Sequence, residues 1–90
     1  MKQQDIDQFI LEHPITYESV RIDFVDGSFK AGFFENLVGD FDDLRQKNQW
    51  RFIEKNNCVK YKNSDNDPKH TTIINGDSID KLSVIQKPNF

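Results

Sequence analysis

The first apolar pattern in the chain has the spacing of a helix. Four side chains recur at i, i+3, i+4 and i+7, which places them on one helical face: Ile6, Phe9, Ile10 and His13. Asp5 is a candidate cap for this helix, and Pro14 ends it because the residue before a proline disfavours helical backbone. We therefore predict an amphipathic helix over about residues 3–12, with one face free to pack on the rest of the fold.

A β-hairpin is predicted over about residues 16–37. Asp26-Gly27 has the composition of a two-residue type I′ turn, which needs positive φ at both positions. With this turn, the facing pairs are Phe24–Phe29, Ile22–Ala31 and Val20–Phe33, and on the opposite face Asp23–Lys30 and Arg21–Gly32. The first three pairs are all apolar, so they should form one buried stripe, which a slip of one residue would destroy.

Beyond the hairpin, the pattern predicts an insertion and three more strands. Gly39-Asp40 interrupts the alternation, and Asp40 is a candidate helix cap, so about 38–48 is interpreted as a short helical insertion. Alternating or β-branched residues then predict strands over about 49–54, 70–75 and 79–85. The polar, turn-rich residues 55–69 should form a mobile connection with a turn of helix around 59–62.

These elements describe one small domain spanning residues 1–90. Ninety residues can bury one hydrophobic core, and eight Phe, one Trp and two Tyr supply large apolar groups for it. A helix followed by about five short strands is typical of a small barrel, since a sheet this small buries one face only by curling on itself. Gly32, in the middle of a predicted strand, is the expected bending point.

Two segments of the chain carry a family resemblance. Val20-x-Ile22-x-Phe24-x-Asp26-Gly27-x-x-Lys30-x-Gly32 is an alternating strand that turns at Asp-Gly and bends at a glycine, and Ile73-Ile74-Asn75-Gly76-Asp77-Ser78-Ile79 ends one strand and begins the last. In content and order they resemble the two motifs of the Sm-like family of small RNA-associated barrels. The resemblance implies a mostly β fold, a small five-stranded Sm-like or SH3-like barrel with an N-terminal helix and a short helical insertion.

The resemblance also implies an alternative function, which is RNA binding by an oligomeric ring. The RNA contacts would then be Asn36, Asn75 and Gly76. Two positions depart from the family: Asn75 stands where an arginine or lysine is usual, and after Gly32 only Glu35-Asn36 stands in for an acidic-x-aromatic-x-Asn triplet. The chain also resembles a group of small bacterial barrels in which a helical insertion precedes a Trp-Arg-Phe strand.

Charge and cysteine content narrow the classes of partner and compartment. The net charge of −3 argues against a general polyanion binder. The charge is uneven, because residues 1–45 hold four Lys/Arg against ten Asp/Glu (−6) and residues 46–90 hold eight against five (+3), so a basic patch in the second half is an alternative to mixed faces. The single cysteine, Cys58, excludes an intrachain disulfide and a multi-cysteine zinc site and is typical of a reducing cytoplasm. We expect no signal peptide and no membrane span, because the apolar runs are too short.

No catalytic, metal or cofactor site is predicted. His13, His70 and Cys58 do not form the nucleophile–base pairing that catalysis needs, although Lys55 and Lys60 near Cys58 could lower its pKa. Single scattered glycines form no phosphate loop, so no small-molecule substrate is evident. Three acidic residues lack the spacing of a calcium loop and suit a helix N-terminus instead: Asp40, Asp42 and Asp43.

What remains is recognition of another molecule at the surface. Four residues on or near the non-core face of the hairpin mix aromatic and cationic groups that can stack on bases or grip a peptide: Tyr17, Arg21, Phe34 and Arg51. The alternative is that the N-terminal helix or a second copy covers Tyr17 and Phe34. We expect a non-catalytic interaction module that binds a protein partner, or itself, through a free strand edge.

Overall fold

The computed structural model describes residues 1–13, 19–35 and 39–85 of the protein. The α-helices and β-strands in this part of the chain are α1 (Gln3–Glu12), β1 (Val20–Phe24), β2 (Phe29–Phe34), α2 (Phe41–Gln46), β3 (Gln49–Glu54), α3 (Cys58–Asn63), β4 (Thr72–Asn75) and β5 (Ile79–Val84). Three short 3-10 turns connect them: Lys55–Asn57, Pro68–His70 and Gly76–Ser78. The helical segments together hold slightly more residues than the strands, so the sheet is accompanied by substantial helix.

The five strands form one antiparallel sheet in the order β4-β3-β2-β1-β5. This agrees with the predicted five-stranded β architecture, and α2 lies within the predicted insertion. α1 has the predicted bounds, but its N-cap residue is Lys2 and not Asp5, whose amide donates to the Lys2 carbonyl at 3.1 Å. The predicted connection over 55–69 is largely helical, because α3 extends beyond the single expected turn.

The connection between β4 and β5 shows that the sheet is strongly curled at one end. These strands lie at opposite edges of the sheet, which in a flat five-stranded sheet would be about 19 Å apart. Only the 3-10 turn Gly76–Ser78 joins them, and four residue steps at the 3-10 rise span about 8 Å. The two edges must therefore converge at the end of the molecule that carries this turn.

The register of the β1–β2 hairpin differs from the predicted one by one residue. Val25-Asp26-Gly27 form a three-residue loop, in which the amide of Gly27 donates to the Phe24 carbonyl at 3.0 Å and that of Phe24 to Ser28 at 2.9 Å. Within the loop only Gly27 has positive φ, +90°, so the turn is type I with a bulge and not type I′. Asp26 keeps negative φ because its carboxylate accepts from the Ser28 amide at 2.8 Å.

This register overturns the predicted Phe24–Phe29 stripe. Val20 faces Gly32 and Ile22 faces Lys30, so the longer loop turns the side chains of Phe29 and Ala31 away from the core. The ring of Phe29 is 58% exposed. The hairpin instead contributes to the core through alternate residues of β1 and, from β2, Phe34.

The hydrophobic core draws on α1 and all five strands. Its buried members are Ile6, Val20, Ile22, Phe34, Trp50, Phe52, Ile74, Ile79 and Leu82. Phe34 meets Phe52 and Trp50 edge to face, with ring centroids 5.4 and 6.3 Å apart. α1 lies on the sheet by the face predicted from its spacing, because Ile6 is fully buried and Phe9 and Ile10 pack against the core.

At Gly32 the backbones of β2 and β3 approach each other closely. A Cβ added at Gly32 would overlap the carbonyl oxygen of Ile53, which belongs to the backbone of the neighbouring strand and cannot rotate away. Any larger residue would therefore force the two strands apart. The bend expected at this glycine stays a prediction.

Candidate functional site

An aromatic–cation pair stands on the outer face of the hairpin, opposite to the core. The guanidinium carbon of Arg21 lies 4.2 Å from the centroid of the Phe29 ring, a distance at which the cation and the ring attract each other. The Nε atom of Arg21 also donates to Asp23 at 3.0 Å. The pair exists because the register aligns these residues on one face, and it presents an exposed aromatic ring with an oriented cation.

A shallow groove of about 370 Å³ opens beside Phe29. Its lining residues are Phe29, Lys30, Ala31, Glu54, Lys55 and Asn56. Lys30 Nζ is held by Glu54 at 2.7 Å. Lys55 is exposed and forms no ion pair with any residue in the described part of the chain. The groove therefore combines an apolar wall with one uncompensated positive charge.

Arg51, a predicted surface residue, is largely covered and belongs to a polar cluster with Asp40 and Thr71. Its side chain is only 11% exposed and its Nη2 atom lies 2.5 Å from Asp40 Oδ2. Its Nη1 atom donates to the Thr71 hydroxyl at 2.7 Å. The Arg51 hydrogen bond is the main cause that lowers the pKa of Asp40. Arg51 thus ties α2 and the segment before β4 to the outer face of β3.

Glu35 and Tyr61 form a second buried polar contact next to Arg51. Both residues are buried, and no described atom meets the Tyr61 hydroxyl at strict hydrogen-bond geometry. Glu35 nevertheless lies close enough to act on it: burial first, then the hydrogen bond and charge of Glu35, raise the pKa of Tyr61 to about 12. The carboxylate of Glu35 is thus a neighbour of the phenol, and its negative charge disfavours the ionised form of Tyr61.

Of the four predicted binding residues, the structure describes Arg21, Phe34 and Arg51, and these three are not exposed together on one surface. Arg21 is on the exposed outer face as predicted, but Phe34 is 3% exposed in the core, so its predicted place on the non-core face is wrong. The slipped register is the reason, because it turns alternate residues of β2 inward. Tyr17 and Asn36 lie outside the described residues.

The two other predicted RNA contacts lie in the β4–β5 connection. The side-chain oxygen of Asn75 accepts from the Asp77 amide at 3.0 Å, as the cap of the 3-10 turn. Gly76 is buried, and an added Cβ would overlap the side chain of Asn48. Asn75 is exposed but engaged in the turn, and the buried Gly76 offers little surface to a ligand.

Asn48 joins parts of the fold that are distant in sequence, and the sequence analysis did not identify it. Its side chain accepts from Trp50 Nε1 at 3.0 Å and donates to the Met1 carbonyl at 3.0 Å. Its own carbonyl accepts from the Gly76 amide at 2.7 Å. Asn48 has φ +55°, a backbone region that asparagine tolerates better than most residues. An asparagine directly before a predicted strand was therefore the one signal of this position in the sequence.

Cys58 and the acidic residues are the remaining candidates for chemistry. Burial raises the pKa of the Cys58 thiol and outweighs the opposite effect of Lys62 and Lys55. Lys55 therefore acts in the predicted direction, but the net shift is upward, and the second lysine is Lys62 and not Lys60. Within residues 1–13, 19–35 and 39–85, no three His, Cys, Asp or Glu side chains are grouped to hold a metal ion. None of the helices described is long and apolar enough to cross a membrane.

No protein-family model matches this chain, and neither does any curated protein or solved structure. The Sm-like resemblance of the two motif segments therefore stays a hypothesis. The geometry itself offers two kinds of contact surface, which are the edges of the sheet and the groove beside Phe29.

Proposed function

We propose that this protein is a non-catalytic interaction module that assembles with protein, and first with itself, through the free edges of a sheet curled into a small barrel. The observation that supports it is the strand order, in which β4 and β5 are the edge strands. No further strand lies beyond either of them within the described residues. Exposed edges offer unpaired backbone groups to another strand.

Alternation of hydrogen bonds in an antiparallel pair identifies which groups point outward. The Gly76 amide donates to the Asn48 carbonyl, so the facing residue pairs two and four positions further along β4 are hydrogen-bonded as well. The amide and carbonyl of Ile73, which lies between these pairs, therefore point away from β3. By the same rule, the bond from Ile85 to Ser19 directs the backbone groups of Leu82 and Val84 away from β1. Each edge thus has donors and acceptors for a partner strand.

The two edges differ in sequence, which favours head-to-tail assembly. The β4 edge carries the exposed apolar side chain of Ile73, and the β5 edge carries Asp80 and Lys81. Pairing of β4 in one copy with β5 in the next is a heterologous contact, and repeated contacts of this kind close into a ring if the rotation permits.

The test compares two lysine substitutions at exposed aliphatic residues. Ile73→Lys places a charge on the β4 edge, whereas Val59→Lys places the same charge on α3, outside both edge strands. Sedimentation velocity over a range of concentrations should show oligomers for the natural protein and for Val59→Lys, and monomers for Ile73→Lys. A protein that sediments as a monomer at every concentration overturns the self-assembly proposal.

An Sm-like RNA-binding ring is the alternative function. The 3-10 turn between β4 and β5, the strand order and the exposed Arg21–Phe29 pair favour it, whereas the engagement of Asn75 and Gly76 inside the turn does not. Binding of oligouridylate measured over a salt series distinguishes the two, because phosphate contacts give affinity that falls steeply with salt. No binding at low salt removes this alternative.

A further inference from the structure

The turn that joins β4 to β5 contains the one Asn-Gly pair of the sequence, Asn75-Gly76. An asparagine followed by glycine is especially prone to lose its side-chain ammonia, because glycine has no Cβ to hinder attack of its nitrogen on the asparagine side chain. Asn75 is exposed, whereas Gly76 is buried. The attacked side chain is thus open to water, and the attacking nitrogen lies inside the fold.

Deamidation of such a pair takes place in two steps, with water as the co-reactant. The Gly76 amide gives up its proton, and its nitrogen attacks Cγ of Asn75 to close a succinimide ring. The side-chain nitrogen of Asn75 leaves with a proton as ammonia. Water then opens the ring at one of its two carbonyl carbons. The product is aspartate, or isoaspartate, in which the main chain runs through the former side chain.

The fold opposes the first step at both reacting groups. The Gly76 amide donates to the Asn48 carbonyl at 2.7 Å, so its proton is held. Asn75 has ψ +122°, which turns the Gly76 nitrogen away from the Asn75 side chain, and the rotation that closes the ring breaks the bond to Asn48. The side-chain oxygen of Asn75 is also held, by the Asp77 amide at 3.0 Å. Deamidation therefore requires local opening of the turn.

Asn48 is the residue that keeps this turn closed. Its side chain lies so close to Gly76 that a Cβ added there would overlap it, and it is fixed by its bonds to Trp50 and Met1. Isoaspartate inserts a carbon into the main chain before Gly76, and the space beside Asn48 does not accommodate the displacement. A chain with isoaspartate cannot close the turn again, whereas aspartate keeps the oxygen that accepts from the Asp77 amide.

We propose that Asn75 is a deamidation site controlled by the fold, in which Asn48 holds Gly76 out of reaction and each opening of the β4–β5 turn exposes Asn75 to conversion. Formation of isoaspartate makes the opening permanent, so the modification marks chains in which this turn has opened. The chemistry lies within one chain and does not depend on self-assembly.

The first test compares the protein with its own sequence outside the fold. Trypsin releases residues 70–81 as one peptide, in which Asn75 is the only side-chain amide. The protein and a synthetic peptide of this sequence are incubated in mildly alkaline buffer, and mass spectrometry follows the conversion of the amide to a carboxyl group. Deamidation should be at least about tenfold slower in the protein, which corresponds to about 1.4 kcal/mol for opening. The slowing should be at least as large as the protection of the Gly76 amide from hydrogen exchange.

The second test uses two substitutions of asparagine by glycine. Asn48 and Asn66 both have positive φ, +55° and +63°, which glycine adopts without strain. Asn48→Gly removes the side chain that packs against Gly76 and should raise deamidation of Asn75 and exchange of the Gly76 amide roughly fivefold, the effect of one lost hydrogen bond. Asn66→Gly makes the same change in the segment after α3 and should alter neither rate.

Four results would overturn the proposal. The folded protein deamidates as fast as the peptide, Asn48→Gly changes neither rate, Asn48→Gly speeds exchange of the Gly76 amide without speeding deamidation, or Asn66→Gly acts as Asn48→Gly does. If Asn48→Gly does not fold, the comparison of the natural protein with the peptide decides alone.

Discussion

Replacing Tyr61 with phenylalanine should remove a specific loss of stability at alkaline pH. The side chain of Tyr61 is 4% exposed, and burial together with Glu35 raises its pKa to about 12, whereas a tyrosine in the unfolded chain titrates near pH 10. Below about pH 10 both states hold the proton and the stabilising contribution is complete. As the pH rises through about 12 the folded state must release it, so this contribution is lost.

The magnitude follows from the distance between the two pKa values. A difference of about two units corresponds to about 2–3 kcal/mol of unfolding free energy, lost between roughly pH 10 and 12. Near neutral pH, Tyr61→Phe should change stability by less than about 1 kcal/mol, because the hydroxyl it removes has no well-formed hydrogen bond. The pH dependence therefore carries the prediction, and the neutral value serves as a reference.

The assay is urea unfolding followed by the fluorescence of Trp50, at about pH 8.5 and about pH 11.5. A Tyr17→Phe background leaves Tyr61 as the one remaining tyrosine of two, so that tyrosinate absorbance reports its titration. Lysines also lose charge near pH 10.4, but the Tyr17→Phe and double Phe variants share them, and the difference between the variants cancels that effect. A Tyr61 titration near pH 10, or equal alkaline losses in both variants, would refute the reasoning.

Three further predictions concern packing and electrostatics. Gly32→Ala should lower the free energy of unfolding in urea by about 2 kcal/mol or more, because the added Cβ overlaps Ile53. Gly27→Ala is the control and should lower it by about 1 kcal/mol, since this residue has φ +90° but lies in open space. Equal losses would contradict the close approach of β2 and β3. Trp50→Phe should cost about 1–2 kcal/mol, since it leaves the side-chain oxygen of Asn48 without its donor, and an additional Asn48→Ala change should then cost less than it does alone. The ionised Asp40 carboxylate stabilises the fold above its unfolded-state pKa, and this contribution is lost as the pH falls through its lowered folded-state pKa. In acid titrations followed by circular dichroism, the stability of Asp40→Asn should therefore depend less on pH than that of the natural protein.

Local patterns in the sequence were sufficient to place most elements. α1 and β3 have the predicted bounds, because the periodicity of apolar residues reports which side of an element is buried wherever that element lies. The polar region 55–69 was misjudged, since α3 packs through one buried residue, Tyr61, and one residue produces no periodic pattern. The aromatic and β-branched content was enough to indicate a single core built on a small sheet.

The register and the binding surface were decided by tertiary structure. The hairpin loop has one residue more than predicted, which the bond from Ser28 to Asp26 allows. The extra residue reverses the faces of β2, so Phe34 is in the core and the ring of Phe29 is exposed beside the groove. The groove exists because β3, which runs antiparallel to β2, ends at Glu54 and does not extend along the first residues of β2. Asn48 bonds Met1, Trp50 and Gly76, residues that only the folded chain brings together. The sequence by itself thus determined most of the elements and the buried faces of α1 and β1, because these depend on neighbours a few residues away. The pairing of strands, the buried face of β2 and the shape of the site depend on contacts between distant parts of the chain.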